Sequence, residues 1–117
     1  MRATTVEEGV FLLRLARDDA RLREGQIAPL FLFEALCQAA AAFHGATLTG
    51  RPESGMLVQA DGVRFGAGAR GGEDVELRVR RTHALGSLVR FAGRAMVGER
   101  LLVEGELTVA RDNGSGG

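Results

Sequence analysis

The chain has 117 residues, 45% of them hydrophobic, enough for one compact core and too few for two. Its 15 basic and 15 acidic residues balance, so nothing electrostatic points to nucleic acid as a partner. With Cys37 the only cysteine no internal disulfide can form, and residues 1–10 lack the basic start and apolar core of an export signal, so a reducing, cytoplasmic setting is expected.

In chain order, Val10 to Ala16 is short and apolar and reads as a strand, followed by a charged, irregular stretch from Arg17 to Gln26. Residues 29–43 then form an almost uninterrupted apolar run. Leu, Ala, Glu and Gln are strong helix formers, and Pro29 suits a first turn, where its missing N–H costs nothing. A helix over about 29–45 is predicted, with Gly45 as its stop. At 3.6 residues per turn, Leu30, Glu34, Gln38 and Ala41 to Ala42 share one side, and apolar side chains cover the remainder. A helix apolar nearly all round is buried on most sides. The run is shorter than the roughly 20 apolar residues a bilayer span needs, so burial inside a protein is expected and a membrane span is not.

Beyond a loop containing Gly50, Pro52 and Gly55, Met56 to Phe65 reads as a strand, and Gly66 to Gly72 as a flexible glycine-rich connection. Three alternating runs follow. Val75, Leu77 and Val79 alternate with Glu76, Arg78 and Arg80; Val89, Phe91, Ala95 and Val97 with Arg90 and Arg94; Leu101, Val103, Leu107 and Val109 with Glu104 and Glu106. This period indicates an antiparallel sheet with one dry and one wet face, and the links at Ala84 to Ser87 and around Gly98 indicate hairpins. The outward Arg and Glu side chains form a solvated face with cross-strand pairs. The fold class predicted is α+β: a curved antiparallel sheet of five or six strands around one central helix, a single domain over 1–111, and a flexible tail over 112–117.

Glu34 is the residue that asks for an explanation. A carboxylate isolated in apolar surroundings costs on the order of several kcal/mol, so it needs a partner or a task. Gln38, four residues on, is placed to orient it. Cys37 reads as a small core hydrophobe, and His44 and His83 as structural or surface residues. Two His and one Cys without close spacing give no metal motif. The glycines at 66, 68, 71 and 72 are not a phosphate loop, because no Lys or helix follows and Glu73 and Asp74 would repel phosphate.

Two regions resemble the hotdog-fold superfamily and, more narrowly, the 3-hydroxyacyl-acyl carrier protein dehydratases of fatty-acid and polyketide synthesis. Ile27 to Ala40 is similar to that family's central helix, with an acidic residue followed by an Ala-rich segment and Gln. Ala60 to Phe65, Gly71-Gly72-Glu73 and Val75 to Val79 resemble its strand, turn and following strand, and Phe91 to Val97 with Val103 to Leu107 continue the pattern. The resemblance implies that Glu34 is the catalytic acid or base, oriented by Gln38, and that the backbone amides of Leu30 and Phe31 polarise a thioester carbonyl, aided by the helix dipole. It implies no cofactor beyond the phosphopantetheine or coenzyme A that carries the substrate. The implied partners are an acyl carrier protein or acyl-CoA and a second copy of the chain, in a homodimer or higher oligomer paired edge to edge. Loop arginines, Arg64 and Arg70 with Arg21 and Arg23, are candidate contacts to a carrier or its phosphate.

One family feature is missing. The dehydratases carry a His in the loop before the helix; here Asp18 to Gln26 offers only acids, arginines and an amide, and no His precedes His44. Three enzymological readings follow: an acyl-thioester-binding relative that has lost dehydration, a thioesterase using Glu34, or a dehydratase with a substituted acid or base. A non-enzymatic assembly module whose helix is only core stands as a further class.

Overall fold

The computed structural model describes residues 2–5, 8–49 and 55–111. Its elements in order are β1 (Arg2–Thr5), β2 (Glu8–Leu13), β3 (Gln26–Ile27), α1 (Pro29–Thr49), β4 (Gly55–Phe65), β5 (Ala69–Arg70), β6 (Val75–Leu85), β7 (Leu88–Val97) and β8 (Arg100–Arg111). A six-stranded sheet runs β1-β2-β6-β7-β8-β4, antiparallel throughout, and β3 pairs with β5 in a separate two-stranded ladder. The single helix packs across β4, β6, β7 and β8, so the sheet wraps it as the α+β expectation required.

The period-2 runs place the core. Val75, Leu77 and Val79 on β6, Val89, Phe91 and Ala95 on β7, and Val103, Leu107 and Val109 on β8 are buried and face the helix. From the helix come Leu32, Leu36, Ala39, Ala40 and Phe43, and the rings of Phe43 and Phe91 meet edge to face with centroids 6.1 Å apart. Each fully buried side chain of this size contributes about 1.5–3 kcal/mol, so this layer is the main source of stability. On the opposite face the expected pairs form: Arg64 with Glu104 directly across the strands, and Arg90 with both Asp61 and Glu106. These pairs are part-exposed and worth at most about 1 kcal/mol each.

Both hairpins occur as read from the sequence. Gly86 and Gly98 hold positive φ at the first position of two-residue turns, between Leu85 and Leu88 and between Val97 and Arg100. That geometry matches the right-handed twist of the flanking strands.

Several boundaries differ from the sequence reading. The helix does not stop at Gly45 but continues to Thr49, since a glycine inside a helix costs only about 1 kcal/mol. The first apolar strand is Glu8–Leu13 rather than Val10 to Ala16, because β6 pairs with it only as far as Leu13. The glycine-rich connection is partly ordered by hydrogen bonds: the N–H groups of Gly66 and Ala67 donate to Leu102 and Leu101, and Ala69–Arg70 forms β5. Residues 50–54 and the expected tail at 112–117 lie outside the described residues.

Candidate active site

The helix start is built without a capping side chain. Ala28 supplies the carbonyl that accepts the N–H of both Phe31, at 3.0 Å, and Leu32, at 3.2 Å. Of the two amides expected to polarise a carbonyl, that of Phe31 is thus already engaged, while Leu30 sits ahead of this shared acceptor with its side chain 72% exposed.

From this start one stripe of the helix faces outward. Leu30, Glu34, Gln38 and Ala42 are all exposed, while Phe31, Phe33, Ala35, Cys37 and Ala41 flank them half-buried. The side shared by Leu30, Glu34 and Gln38 is therefore as the spacing predicts, but its burial is not. Glu34 is not lodged in an apolar interior, because the sheet covers only the Leu32, Leu36, Ala40 and Phe43 side of the helix. No side-chain hydrogen bond or ion pair reaches Glu34 or Gln38 from among the described residues. Glu34 still acts on its neighbour: burial pushes the Cys37 thiol up to about 11, and the nearby Glu34 charge adds to the rise.

The loop before the helix is closed by its own chemistry. Asp19 accepts from the Arg21 backbone N–H at 2.8 Å and from its guanidinium, Nε at 2.9 Å and Nη2 at 2.8 Å. Those bonds to Arg21 hold the Asp19 carboxyl down to about 2. Arg21 in turn lies over the Phe31 ring, 5.4 Å from its centroid, at the first turn of the helix. Within the loop where the resemblance calls for a base, Asp19 is thus tied up by Arg21, while Asp18 and Glu24 are the other carboxylates it offers.

The remaining expected contacts fall apart in space. Arg64 projects from the face of the sheet turned away from the helix, pairs with Glu104, and lines a cleft of about 520 Å³ with Arg78, Arg80, Arg94 and Glu106. Arg70 lies at the other location, in a cleft of about 330 Å³ beside the β3–β5 ladder. Arg23 and Gln26 close a tight turn by exchanging backbone hydrogen bonds at 2.9 Å. Sequence reasoning did not single out Arg100 or Gln26 and read Glu73 only as a turn residue unfavourable to phosphate; all three share the Arg70 cleft. It also did not single out the edge strand β4, where Val58 is 50% and Phe65 48% exposed.

Among the described residues no helix is long and apolar enough to cross a membrane, and no three His, Cys, Asp or Glu side chains converge as a metal site would require.

No protein-family model and no curated protein matches the chain. Solved structures do. The dehydratase heterocomplex ApeI:P from Xenorhabdus doucetiae superposes with a TM-score of 0.77 at 19% identity, over 93% of this chain and 78% of that one. A hypothetical thioesterase protein with coenzyme A from Streptococcus pneumoniae gives 0.72 at 12% identity, over 90% and 81%. A hot-dog-like protein from Thermanaerovibrio acidaminovorans gives 0.69 at 18% identity, over 88% and 78%. By its strand order, its wrapped central helix and these likenesses, the chain is a hotdog-fold protein.

Proposed function

We propose that this protein binds acyl thioesters at the start of α1, as a homodimeric relative of the 3-hydroxyacyl-acyl carrier protein dehydratases that does not itself carry out dehydration. The observation that carries this reading is the pair Glu34 and Gln38, the polar members of the exposed stripe Leu30, Glu34, Gln38 and Ala42 among the described helix side chains. An acyl thioester needs apolar wall for its chain and a few polar groups to fix its carbonyl, and this stripe offers both. The names of the fold's neighbours, a dehydratase complex and a thioesterase with coenzyme A, support the same class of ligand.

A second protomer completes the picture. β4 is a long edge strand, and an exposed edge bearing Leu57, Val58 and Phe65 calls for a partner. Pairing β4 with its symmetry mate would cover that edge and the helix flank packed on it, and would turn Glu34 from a surface group into the wall of a shared site. Dehydration needs a base for the C2 proton and an acid for the C3 hydroxyl. The pre-helix loop carries no His and Asp19 is tied to Arg21, which leaves only the carboxylates of Asp18 and Glu24 there; loss of dehydration is therefore the primary reading. A role in fatty-acid or polyketide metabolism, in a reducing compartment, belongs to the same proposal; the lone cysteine, Cys37, is compatible with it.

Thioester hydrolysis is the second reading, and the open exposure of the Glu34 carboxylate to water favours it: a carboxylate there would activate a water against the bound carbonyl. Incubation of the purified protein with 3-hydroxyacyl, enoyl and saturated acyl-CoA separates the possibilities. Saturable binding with no turnover is the expected result. Release of free thiol establishes the hydrolase, interconversion of hydroxyacyl and enoyl forms overturns the loss of dehydration, and no binding of any acyl thioester leaves an assembly module.

A further inference from the structure

The cleft of about 520 Å³ on the face of the sheet turned away from α1 takes no part in the reading above. Arg78, Arg80 and Arg94, on β6 and β7, form one wall, and Asp61, Glu104 and Glu106, on β4 and β8, form the other. Between the walls lie the methyl of Ala92 and the backbone of Gly93 and Gly105, so nothing bulky fills the space.

Pairing within the chain leaves the two walls unequal. Arg78 is bonded to Glu76, Arg64 to Glu104, and Arg90 to Asp61 and, at 3.5 Å, to Glu106. Arg80 and Arg94 are exposed, and no hydrogen bond or ion pair reaches either from among the described residues. Each nevertheless stands directly across a ladder from an acid, Arg80 from Glu8 and Arg94 from Glu104, while Arg94 has Arg78 on its other side. Like charges directly opposite each other destabilise a sheet. On the facing wall, Glu104 and Glu106 each meet a cation through one oxygen, Oε2, whereas an ionised carboxylate accepts about four hydrogen bonds. One wall holds donors without acceptors, and the other holds acceptors with capacity to spare.

We infer that this face pairs with the same face of a second copy of the chain, about a two-fold axis running along the strands between β7 and β8. Cross-strand register sets Arg80, Ala92, Glu106 and Asp61 in one row and Arg78, Arg94, Glu104 and Arg64 in the next. The axis lays β7 over the partner's β8 and β6 over the partner's β4. Arg94 then meets Glu104 of the partner subunit, Arg80 meets Asp61 of the partner subunit, and the methyl of Ala92 leaves room for Glu106 of the partner subunit. The one meeting of like charges, Arg78 with Arg64 of the partner subunit, joins cations that Glu76 and Glu104 already neutralise. An isologous contact has to be self-complementary, and a cationic half beside an anionic half satisfies that condition. Sheets stack with aligned strands about 10 Å apart, within reach of Arg and Glu side chains. This contact is separate from edge pairing through β4, and it does not rest on the acyl-thioester reading.

Sedimentation of the full chain in about 0.02 M and about 0.5 M salt provides the test, since exposed ion pairs are screened at the higher value and the apolar β4 edge is not. The wild-type particle should double in size in low salt, and Val58→Glu, which removes the edge contact, should keep that doubling, from one chain to two. Arg80→Glu combined with Arg94→Glu should abolish it, as should Glu104→Lys combined with Glu106→Lys. Mixed in equal amounts, these two double variants should regain it, because each supplies the charge that the other lacks while repelling its own kind. Thermal unfolding checks that each variant is folded. Should the lysine variant not fold, Glu104→Gln combined with Glu106→Gln keeps the shape of both side chains and should weaken the low-salt association by roughly tenfold or more. A wild-type particle of the same size in both salts, an Arg80→Glu, Arg94→Glu chain that still doubles, or folded variants that stay apart on mixing overturns the pairing. Binding of inorganic phosphate by the wild type with no change of size, lost in the same arginine variant, also overturns it and gives the cleft to an anion.

Discussion

Gly9 lies flat against the ring of Phe43: a Cβ built on Gly9 would stand 2.6 Å from Phe43 Cδ1 and 3.0 Å from Cε1. The β2 backbone at Gly9 therefore packs directly on the fully buried ring, which fills the space between strand and helix and leaves no room for a side chain. Gly93 meets Leu36 in the same manner on β7, at 3.2 Å. The glycine gap and the aromatic ring are one packing unit shared by sheet and helix.

Gly9→Ala should consequently destabilise the fold by about 1–3 kcal/mol through overpacking, because the fully buried ring, packed edge to face on Phe91, would have to shift to make room. Combining it with Phe43→Leu should give back part of that loss, so that the double variant is more stable than the sum of the single effects. Urea denaturation of the four proteins measures the coupling. Strict additivity would show that the two residues are independent.

Glu34→Leu distinguishes an exposed carboxylate from a buried one. A buried, unpartnered acid would be relieved by this change, whereas on the exposed stripe seen here the effect on stability should stay within about 0.5 kcal/mol. Glu34→Gln keeps the shape and removes the charge. If Glu34 activates water, thiol release should disappear in this variant while acyl-thioester binding persists. Turnover at the wild-type rate would remove Glu34 from the chemistry.

The contrast between Glu34 and Gly9 shows what could be read from the sequence. Period-2 alternation located β6, β7 and β8, and helical spacing placed Leu30, Glu34 and Gln38 on one side of α1, because both depend only on backbone geometry. The exposure of that side was not legible. Alanine is compatible with either environment, so an Ala-rich helix carries no mark of which flank the sheet leaves open. The β3–β5 ladder was illegible for a different reason: two residues are too few to show a period, and what fixes them is Glu73, which is distant in sequence from Arg100. The closing of the pre-helix loop by Asp19 and Arg21 was likewise hidden, since spacing reveals acids and arginines but not which of them pair.

The edge strand gives a direct test of assembly. Val58 sits on β4 at a bulge, 50% exposed, where the register with β8 shifts between Leu57 and Gln59. A charge placed there would be trapped against its symmetry mate on pairing. Val58→Glu should therefore convert a two-chain particle into a single chain in sedimentation at micromolar concentration, with little change in the protomer's own stability. A wild-type protein that already sediments as one chain contradicts the shared-site arrangement.

Cys37 reports on Glu34 without any ligand. Its thiol is raised to about 11 first by burial and then by the Glu34 charge, so the thiolate is scarce near neutrality and alkylation should be slow there, accelerating as the pH climbs toward that value. Removing the charge in Glu34→Gln lowers the cost of forming the thiolate, so the alkylation profile should move to lower pH while burial keeps it above that of a free cysteine. The sign follows from like charges: a carboxylate disfavours a second anion beside it, and an amide does not. Rates of iodoacetamide modification across pH 7 to 10 in the two proteins give the answer, and superimposable profiles would mean that the Glu34 carboxylate is turned away from Cys37 in solution. The same experiment tests the proposed dimer: if a partner covers the exposed stripe, Cys37 loses solvent as well, and wild-type alkylation should slow further as the protein concentration rises. A modification rate that falls with protein concentration would tie the helix flank to the interface.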